Sequence, residues 1–493
     1  MSGEDGRAAG LQADVDSAAS PEGVVPDPGP VAPDLAVASL LIPATVGAAF
    51  FMEGLDSTII ATSLPQMAHG LNVGATQVSV AMTAYLVSVS MWIAASGWLA
   101  DRFEARRVYI AAIVVFVLGS LICGLSTSLP SLIVGRMVQG AGGALMTPIG
   151  RLILARSFPR NELVRAMAFM VIPGMSGPML GPVIGGWITT FFSWRWIFFI
   201  NLPLGLICVA LTLRNLKPHP GTGKSSFDAL GFLLVAVALV ALEGGLQLMA
   251  DRGGPTPAAW AALALGVVTG AAYVAHARRG DPILDLRTFR HRSFAVSIFG
   301  GGFFRIAFGG ALLMLPLMFQ LGLHASPLVA GVLMGATAAG QIAARPAIDR
   351  LLQSCGVRRT LLINSLVLAA LMGGLVLFGA GSSLWLLGGY VFVIGLAQSV
   401  QLSTLAALNF SGLPSESLGR ATSLAAVAQR LTTAVGITAT AIALAVAAGG
   451  HHTSIGDFRA PIAVLTALTL LGAPCFALLR SQDGADLLRA RPK

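Results

Sequence analysis

The chain predicts an all-α protein that crosses a membrane many times, and three observations carry that expectation. Apolar residues make up 55% of its 493 residues and charged residues only 11%, against ~25% charged in soluble domains; mean hydropathy is +0.80. Apolar runs of about eighteen residues or more recur along nearly the whole length, each able to cross ~30 Å of hydrocarbon as a helix. Backbone polar groups must be satisfied internally there, which selects helices, and the ten-residue alternation of a membrane barrel is absent. Finally, Lys and Arg fall in every second connecting segment, as they do when cationic loops stay in the cytoplasm.

Taken in order, the predicted spans are 39–63, 75–99, 108–126, 130–154, 164–190, 196–213 and 228–249, then 257–276, 294–320, 326–346, 360–380, 384–409, 418–447 and 460–479, fourteen in all. Segments 1–38, 100–107, 151–165, 214–227, 277–293, 345–359, 410–420 and 480–493 hold 25 of the 31 Lys and Arg. The alternate loops hold only Arg195, Arg252 and Arg459. Both termini are therefore expected in the cytoplasm, and removing one span would place half of these charges on the wrong side. Residues 1–38 carry seven acidic residues, Arg7 and five prolines, the composition of a disordered tail. With no basic stretch ahead of an apolar core, it is not a signal peptide; the first span serves as an uncleaved insertion signal. The expected divisions are the tail 1–38, a six-helix half 39–213, two inserted helices with linkers 214–293, a second half 294–480 and a short tail 481–493.

The net charge of +9 follows from this topology, and no soluble domain offers the basic, aromatic-interleaved face that nucleic acid requires. No Gly-x-x-x-x-Gly-Lys-Ser/Thr phosphate loop occurs, so neither ATP-driven transport nor an enzyme with a cofactor is expected. Cys123, Cys208, Cys355 and Cys475 lack metal-ligand spacing and read as packing residues. His451-His452 reads as a chance pair in a polar loop, and no metal is expected.

A charged side chain at mid-bilayer costs ~2.5–3.5 kcal/mol on insertion scales and marks a functional candidate. Deep in the spans lie Glu53, Asp56, Arg136, Glu243, Arg305 and Arg430. Glu53 and Asp56, three apart, share one helix face, where two close carboxylates raise each other's proton affinity. Asp56 is the expected proton carrier, with Glu53 tuning it or meeting a cationic substrate. Glu243, near the outer end of its span, is open between an outer-vestibule polar site and a functional charge; Arg305 and Arg430 are each open between a structural interhelical tie and a substrate or charge site. Met52, Met82, Tyr85, Met175 and Phe304 read as core before cavity lining.

Several stretches then resemble one family. The segment Gly97-Trp-Leu-Ala-Asp101-Arg102-Phe-Glu-Ala-Arg106-Arg107 resembles the loop between helices 2 and 3 of major facilitator superfamily transporters, with Glu104 where the family usually has Gly. Residues 345–359 echo it through Asp349-Arg350 and Arg358-Arg359, with Arg345 in place of the leading Gly. Arg136-Met-Val-Gln-Gly-Ala-Gly-Gly-Ala, running to Pro148, is similar to the family's arginine-bearing helix. Gly174-Met-Ser-Gly177-Pro178-Met-Leu-Gly181-Pro182, continuing to Gly185-Gly186, resembles the antiporter motif of exporters. Leu55-Asp56-Ser-Thr-Ile-Ile-Ala-Thr-Ser-Leu-Pro65 and Ser193-Trp-Arg-Trp-Ile-Phe-Phe-Ile-Asn-Leu-Pro203 resemble the branch of fourteen-helix drug:proton antiporters.

The resemblance implies two pseudo-symmetric six-helix halves plus two inserted central helices, with a site between the halves. It implies a proton-coupled exporter of lipophilic drugs or toxic compounds across the inner membrane, in contact with lipid. Arg136 would be the counter-charge near the proton site, or a structural tie. Gly97, Asp101, Arg102 and Arg106 would form a cytoplasmic gate. Gly177, Pro178, Gly181, Pro182, Gly185 and Gly186 would form a tightly packed helix limiting proton leak, or generic packing. An exporter of one specific, perhaps anionic, metabolite is the alternative, and a non-transporting sensor on the same fold is a third reading. A periplasmic adaptor stays open as a partner.

Overall fold

The computed structural model describes residues 33–158, 160–216, 218, 227–251, 256–278, 282–379, 381–409, 418–449 and 453–480. It divides into two compact units, Met1–Leu40 and Leu41–Lys493. In the first, residues 33–40 are helical, so helix begins inside the segment expected to be tail. Pro33 suits that place, since a first-turn proline lacks only an N–H that would be unpaired anyway. The remainder of the tail, His451-His452 and residues 481–493 lie outside the described residues.

In the second unit the described residues form helices and no strand. The long helices in chain order are α1 (Leu41–Leu71), α2 (Val80–Arg102), α3 (Ala105–Leu125), α4 (Leu129–Ser157), α5 (Arg160–Phe191) and α6 (Trp196–Asn215). Then come α7 (Ala229–Asp251), α8 (Pro257–His276), α9 (Arg292–Leu317), α10 (Pro327–Ala343), α11 (Arg345–Gly374), α12 (Leu384–Leu408), α13 (Leu418–Ala448) and α14 (Arg459–Ala477). Among the described residues, twelve are long and apolar enough to cross a membrane, against the fourteen spans expected. The two others are α4 and α5, of 29 and 32 residues. At ~1.5 Å per residue their length suffices; Arg136, Gln139, Arg151 and Arg156 lower the hydropathy of α4, and several side chains of α5 lie outside the described residues.

Helix α4 packs on α2 and α3, and α3 on α6; in the later part α9 packs on α13 and α14, α10 on α12, and α11 on α12 and α14. The two sets meet where α2 lies on α13 and α5 on α10. Helix α7 pairs with α8 and rests on both α2 and α13. Glycines set the spacing: a Cβ at Gly119 would lie 2.3 Å from the Gln139 nitrogen, and one at Gly436 would lie 1.9 Å from the Ile306 oxygen. Such contacts let backbones approach closely, which is how helices associate where lipid removes the hydrophobic drive.

Two expectations are revised. Residues 345–359, expected as a loop, are helical as the start of α11, broken only at Gly356 with φ 73° and ψ 160°. That backbone is essentially confined to glycine, so the chain turns without leaving helix on either side. Glu104, standing where the resembling loop carries Gly, has φ −64° and ψ 120°, a conformation open to any residue. Its carboxylate instead pairs with Arg107 at 2.9 Å.

Candidate functional site

The most densely bonded polar site sits among α1, α3, α4 and α6. Asp56 on α1 is fully buried, as is Arg136 on α4, and the Arg136 Nη1 donates to Asp56 Oδ2 at 2.7 Å. The other carboxylate oxygen accepts from Gln139 Nε2 at 2.7 Å and from Asn201 Nδ2 at 2.9 Å. Both amides also reach Ser120 Oγ on α3, at 2.7 and 3.2 Å. Arg136 further donates to the Gln139 Oε1 at 2.7 Å and, through Nε, to the Ala81 carbonyl at 3.1 Å. Its guanidinium lies over the Tyr85 ring, 4.3 Å from the centroid. A buried ion pair is tolerable only when hydrogen bonds occupy its remaining lone pairs and protons, and this network supplies them.

Glu53, one turn earlier on α1, does not join that network. Thr147 on α4 donates to its Oε2 at 2.9 Å, and Arg430 on α13 donates to its Oε1 at 3.0 Å. The two carboxylates expected to form a mutual pair on one face thus each have a separate cation. Arg430, left open by the sequence, becomes an ion-pair bridge between an early helix and a late one.

The opposite face of α1 meets α5. A Cβ at Gly177 would lie 2.4 Å from the Phe51 oxygen, one at Gly181 2.1 Å from Thr58 Oγ1, and one at Gly185 2.5 Å from the Ile59 oxygen. Pro182 has no N–H and so leaves the carbonyl four residues back, that of Pro178, without its helical donor. The Thr58 hydroxyl lies 3.3 Å from that carbonyl and equally near the Gly54 and Leu55 carbonyls of its own helix, so its one proton is shared among the three. Gly186 faces elsewhere: its Cβ would lie 2.3 Å from the Pro327 oxygen on α10. The antiporter-like residues are therefore divided between an α1 seam and an α10 contact.

Between α1, α5, α9, α10 and α12 lies a cavity of about 630 Å³. Phe50, Thr58, Pro178, Leu315, Met334 and Gln398 are among its walls, and Arg345 stands at one end. The Gln341 amide donates to Gln398 at 3.0 Å along the same wall. Away from the Arg345 end, contacts seal the helices together: Gln66 donates to Gln320 at 3.1 Å, Gln320 to the Thr62 carbonyl at 2.8 Å, and the Leu328 N–H to Thr190 Oγ1 at 3.1 Å. Met52, Met82, Tyr85 and Phe304 are buried core.

The remaining candidates scatter. Arg106 donates to the Leu213 carbonyl at 2.7 Å, tying the α2–α3 turn to the end of α6. Backbone at Gly97, Asp101 and Arg102 is helical, and the Asp101 side chain lies outside the described residues. Arg305 is buried and donates to the Ser297 carbonyl on its own helix at 3.1 Å, with no carboxylate paired to it among the described residues. Glu243 on α7 is buried against α13, where Thr438 donates to it, which is not an outer vestibule. Gln139, Asn201, Ser120 and Thr147 had not been singled out. Gln139 stands three residues after Arg136 on a helix, so one face carries both; Asn201 follows by 145 residues from Asp56, and only the fold joins them.

The sequence profile described as Major Facilitator Superfamily matches residues 46–437 and 297–493. Relatives named multidrug resistance protein MdtD include those of Pectobacterium atrosepticum, 35% identical over 82% of this chain and 86% of theirs, and Cronobacter sakazakii, 36% identical over 83% and 86%. That of Escherichia coli is 36% identical over 82% and 86%. In fold, the chain resembles a peptide transporter POT bound to sulfate, with a TM-score of 0.66, 15% identity and coverage of 90% and 94%. It likewise resembles a mutant of the nucleoside transporter NupG, with a TM-score of 0.61, 12% identity and coverage of 89% and 99%. Profile, relatives and fold agree that the chain is a membrane transporter of the major facilitator superfamily.

Proposed function

We propose that this transporter exports lipophilic compounds across the inner membrane in exchange for protons, with both termini and the Arg345 end of the cavity in the cytoplasm. The observation that carries the proposal is the double engagement of α1. One face presents Asp56 to Arg136, and the other presents Phe50 and Thr58 to the cavity. A proton on Asp56 removes the anion that Arg136 holds, while Arg136 cannot discharge in turn. The guanidinium then relies on Gln139, the Ala81 carbonyl and the Tyr85 face, the tie between α1 and α4 weakens, and the cavity wall moves with α1. Cargo leaves as the proton arrives, and deprotonation on the inner side restores the site. An inward proton supplies ~2.3 kcal/mol per 100 mV and ~1.4 kcal/mol per pH unit, enough to accumulate cargo against a gradient. The names of the relatives support drugs as cargo, and the predominantly apolar wall supports lipophilic ones.

A second reading rests on the cation in the cavity lining, Arg345; it is export of a single anionic metabolite. Substrate-triggered proton movement in inverted vesicles separates the two. Several unrelated lipophilic compounds should dissipate the pH gradient with the wild type and not with Asp56→Asn. A response confined to one anionic class selects the second reading, and equal responses from wild type and variant remove Asp56 from the coupling.

A further inference from the structure

Helices α7 and α8 lie beside the two sets of helices, yet α7 carries a buried acid. Glu243 is 5% exposed; its Oε1 accepts from the Thr438 hydroxyl on α13, and its Oε2 has no partner. Thr438 is itself fully buried. An anion here would have a single neutral donor in a membrane-crossing segment, a costly state. Among the described residues, the helices packed on α7 bring no cation to it. On α13, Arg430 is bonded to Glu53. On α2, Tyr85 lies under Arg136 and Arg102 is at the far end of its helix. On α8, Tyr273 is bonded to Leu284 and His276 to Asp228. The short helix Ala75–Val78 has no titratable residue. Asp56, by contrast, has an arginine and two amides.

We infer that Glu243 is a second proton-binding site, separate from the Asp56–Arg136 network and lodged where α7 meets α13. Protonated, its O–H group can donate to Thr438 and leave no charge in the interface. Ionised, it needs water, which reaches it only when α13 moves relative to α7. Helix α13 also carries Arg430, so the acid reports on the same helix that bridges to Glu53. The α7–α8 pair is thus a titrating element of the transport cycle, beyond a passive clamp.

The test is covalent labelling of the full-length protein in proteoliposomes by dicyclohexylcarbodiimide, which adds to protonated carboxyl groups in apolar surroundings, with the modified peptide identified by mass spectrometry. The expected result is modification of the peptide containing Glu243, declining as pH rises. Glu243→Gln should abolish that modification and remove one step from the pH dependence of transport. If Glu243→Gln does not fold, Thr438→Val keeps the acid and should change the pH at which labelling declines. Absence of labelling, or labelling independent of pH, overturns the inference. Labelling needs no knowledge of the cargo, so an acid site that labels in a protein exporting no drug refutes the proposed cargo and leaves this inference standing.

Discussion

The Asp56–Arg136 pair allows a prediction with a sign that differs between its two members. Asp56→Asn leaves a buried guanidinium that cannot lose its proton with neutral partners alone, the Ala81 carbonyl, Gln139 Oε1, the Tyr85 face and the new amide oxygen. Breaking a buried pair in this way costs ~3–5 kcal/mol. Arg136→Gln leaves Asp56 with its Gln139 and Asn201 donors at 2.7 and 2.9 Å, and this carboxyl can discharge by taking up a proton. Its cost should therefore be smaller, near ~1–3 kcal/mol for lost donors, and should grow as pH rises. The double variant carries neither charge, so the two losses should fall short of additivity by more than ~0.5 kcal/mol, the scatter expected of independent sites. Unfolding of the purified protein in detergent, followed by tryptophan fluorescence at two pH values, measures all three. Additive losses, or an Arg136→Gln penalty that does not change with pH, would refute the view that the pair is an electrostatic unit.

Other expectations follow from particular contacts. Gly177→Ala pushes a methyl toward the Phe51 carbonyl and should reduce folded yield sharply, whereas at Gly335 the only close neighbour is a Val183 methyl at 2.8 Å, so Gly335→Ala should be tolerated; size-exclusion yields compare them. Gly356→Ala meets nothing within 4 Å, so its penalty is the backbone strain alone, ~1–3 kcal/mol, read as a lowered melting temperature with transport retained. At the start of α7, burial would raise the Asp228 carboxyl, but the Gly231 and Ile283 N–H groups and His276 outweigh it and hold the group below the usual range. With its folded value depressed, the stability it adds is present above pH ~4, the unfolded value, and is lost as pH falls through the folded value. Asp228→Ala should weaken that helix start by about 1 kcal/mol and flatten the acid limb of the stability curve.

The fold class was legible in the chain because a bilayer leaves few options. Apolar runs of sufficient length must be helices, and the distribution of Lys and Arg orders them. The resemblance carried by Asp56, Arg136 and the Gly174–Gly186 stretch named the family that the profile and relatives then showed. Even so, α4 falls outside the apolar count, because a helix packed on its neighbours can carry arginine and glutamine that a lipid-facing helix cannot. Residues 345–359 looked like a loop by charge, yet form helix around a single glycine.

What only the tertiary structure decided is which charge meets which. Glu53 and Asp56 share a helix face by spacing and both meet α4, but Asp56 takes its cation from α4 and Glu53 from α13, so neighbours along the chain belong to different polar groups. Asn201 and Arg430 lie 145 and 377 residues from the carboxylates they bond, and no local pattern encodes such a pairing. Thr58 likewise gains its meaning from a proline on another helix that leaves a carbonyl without a donor. Helical periodicity and apolarity are properties of one segment and can be read from it; hydrogen-bond and ion-pair partners depend on which segments the packed fold brings face to face.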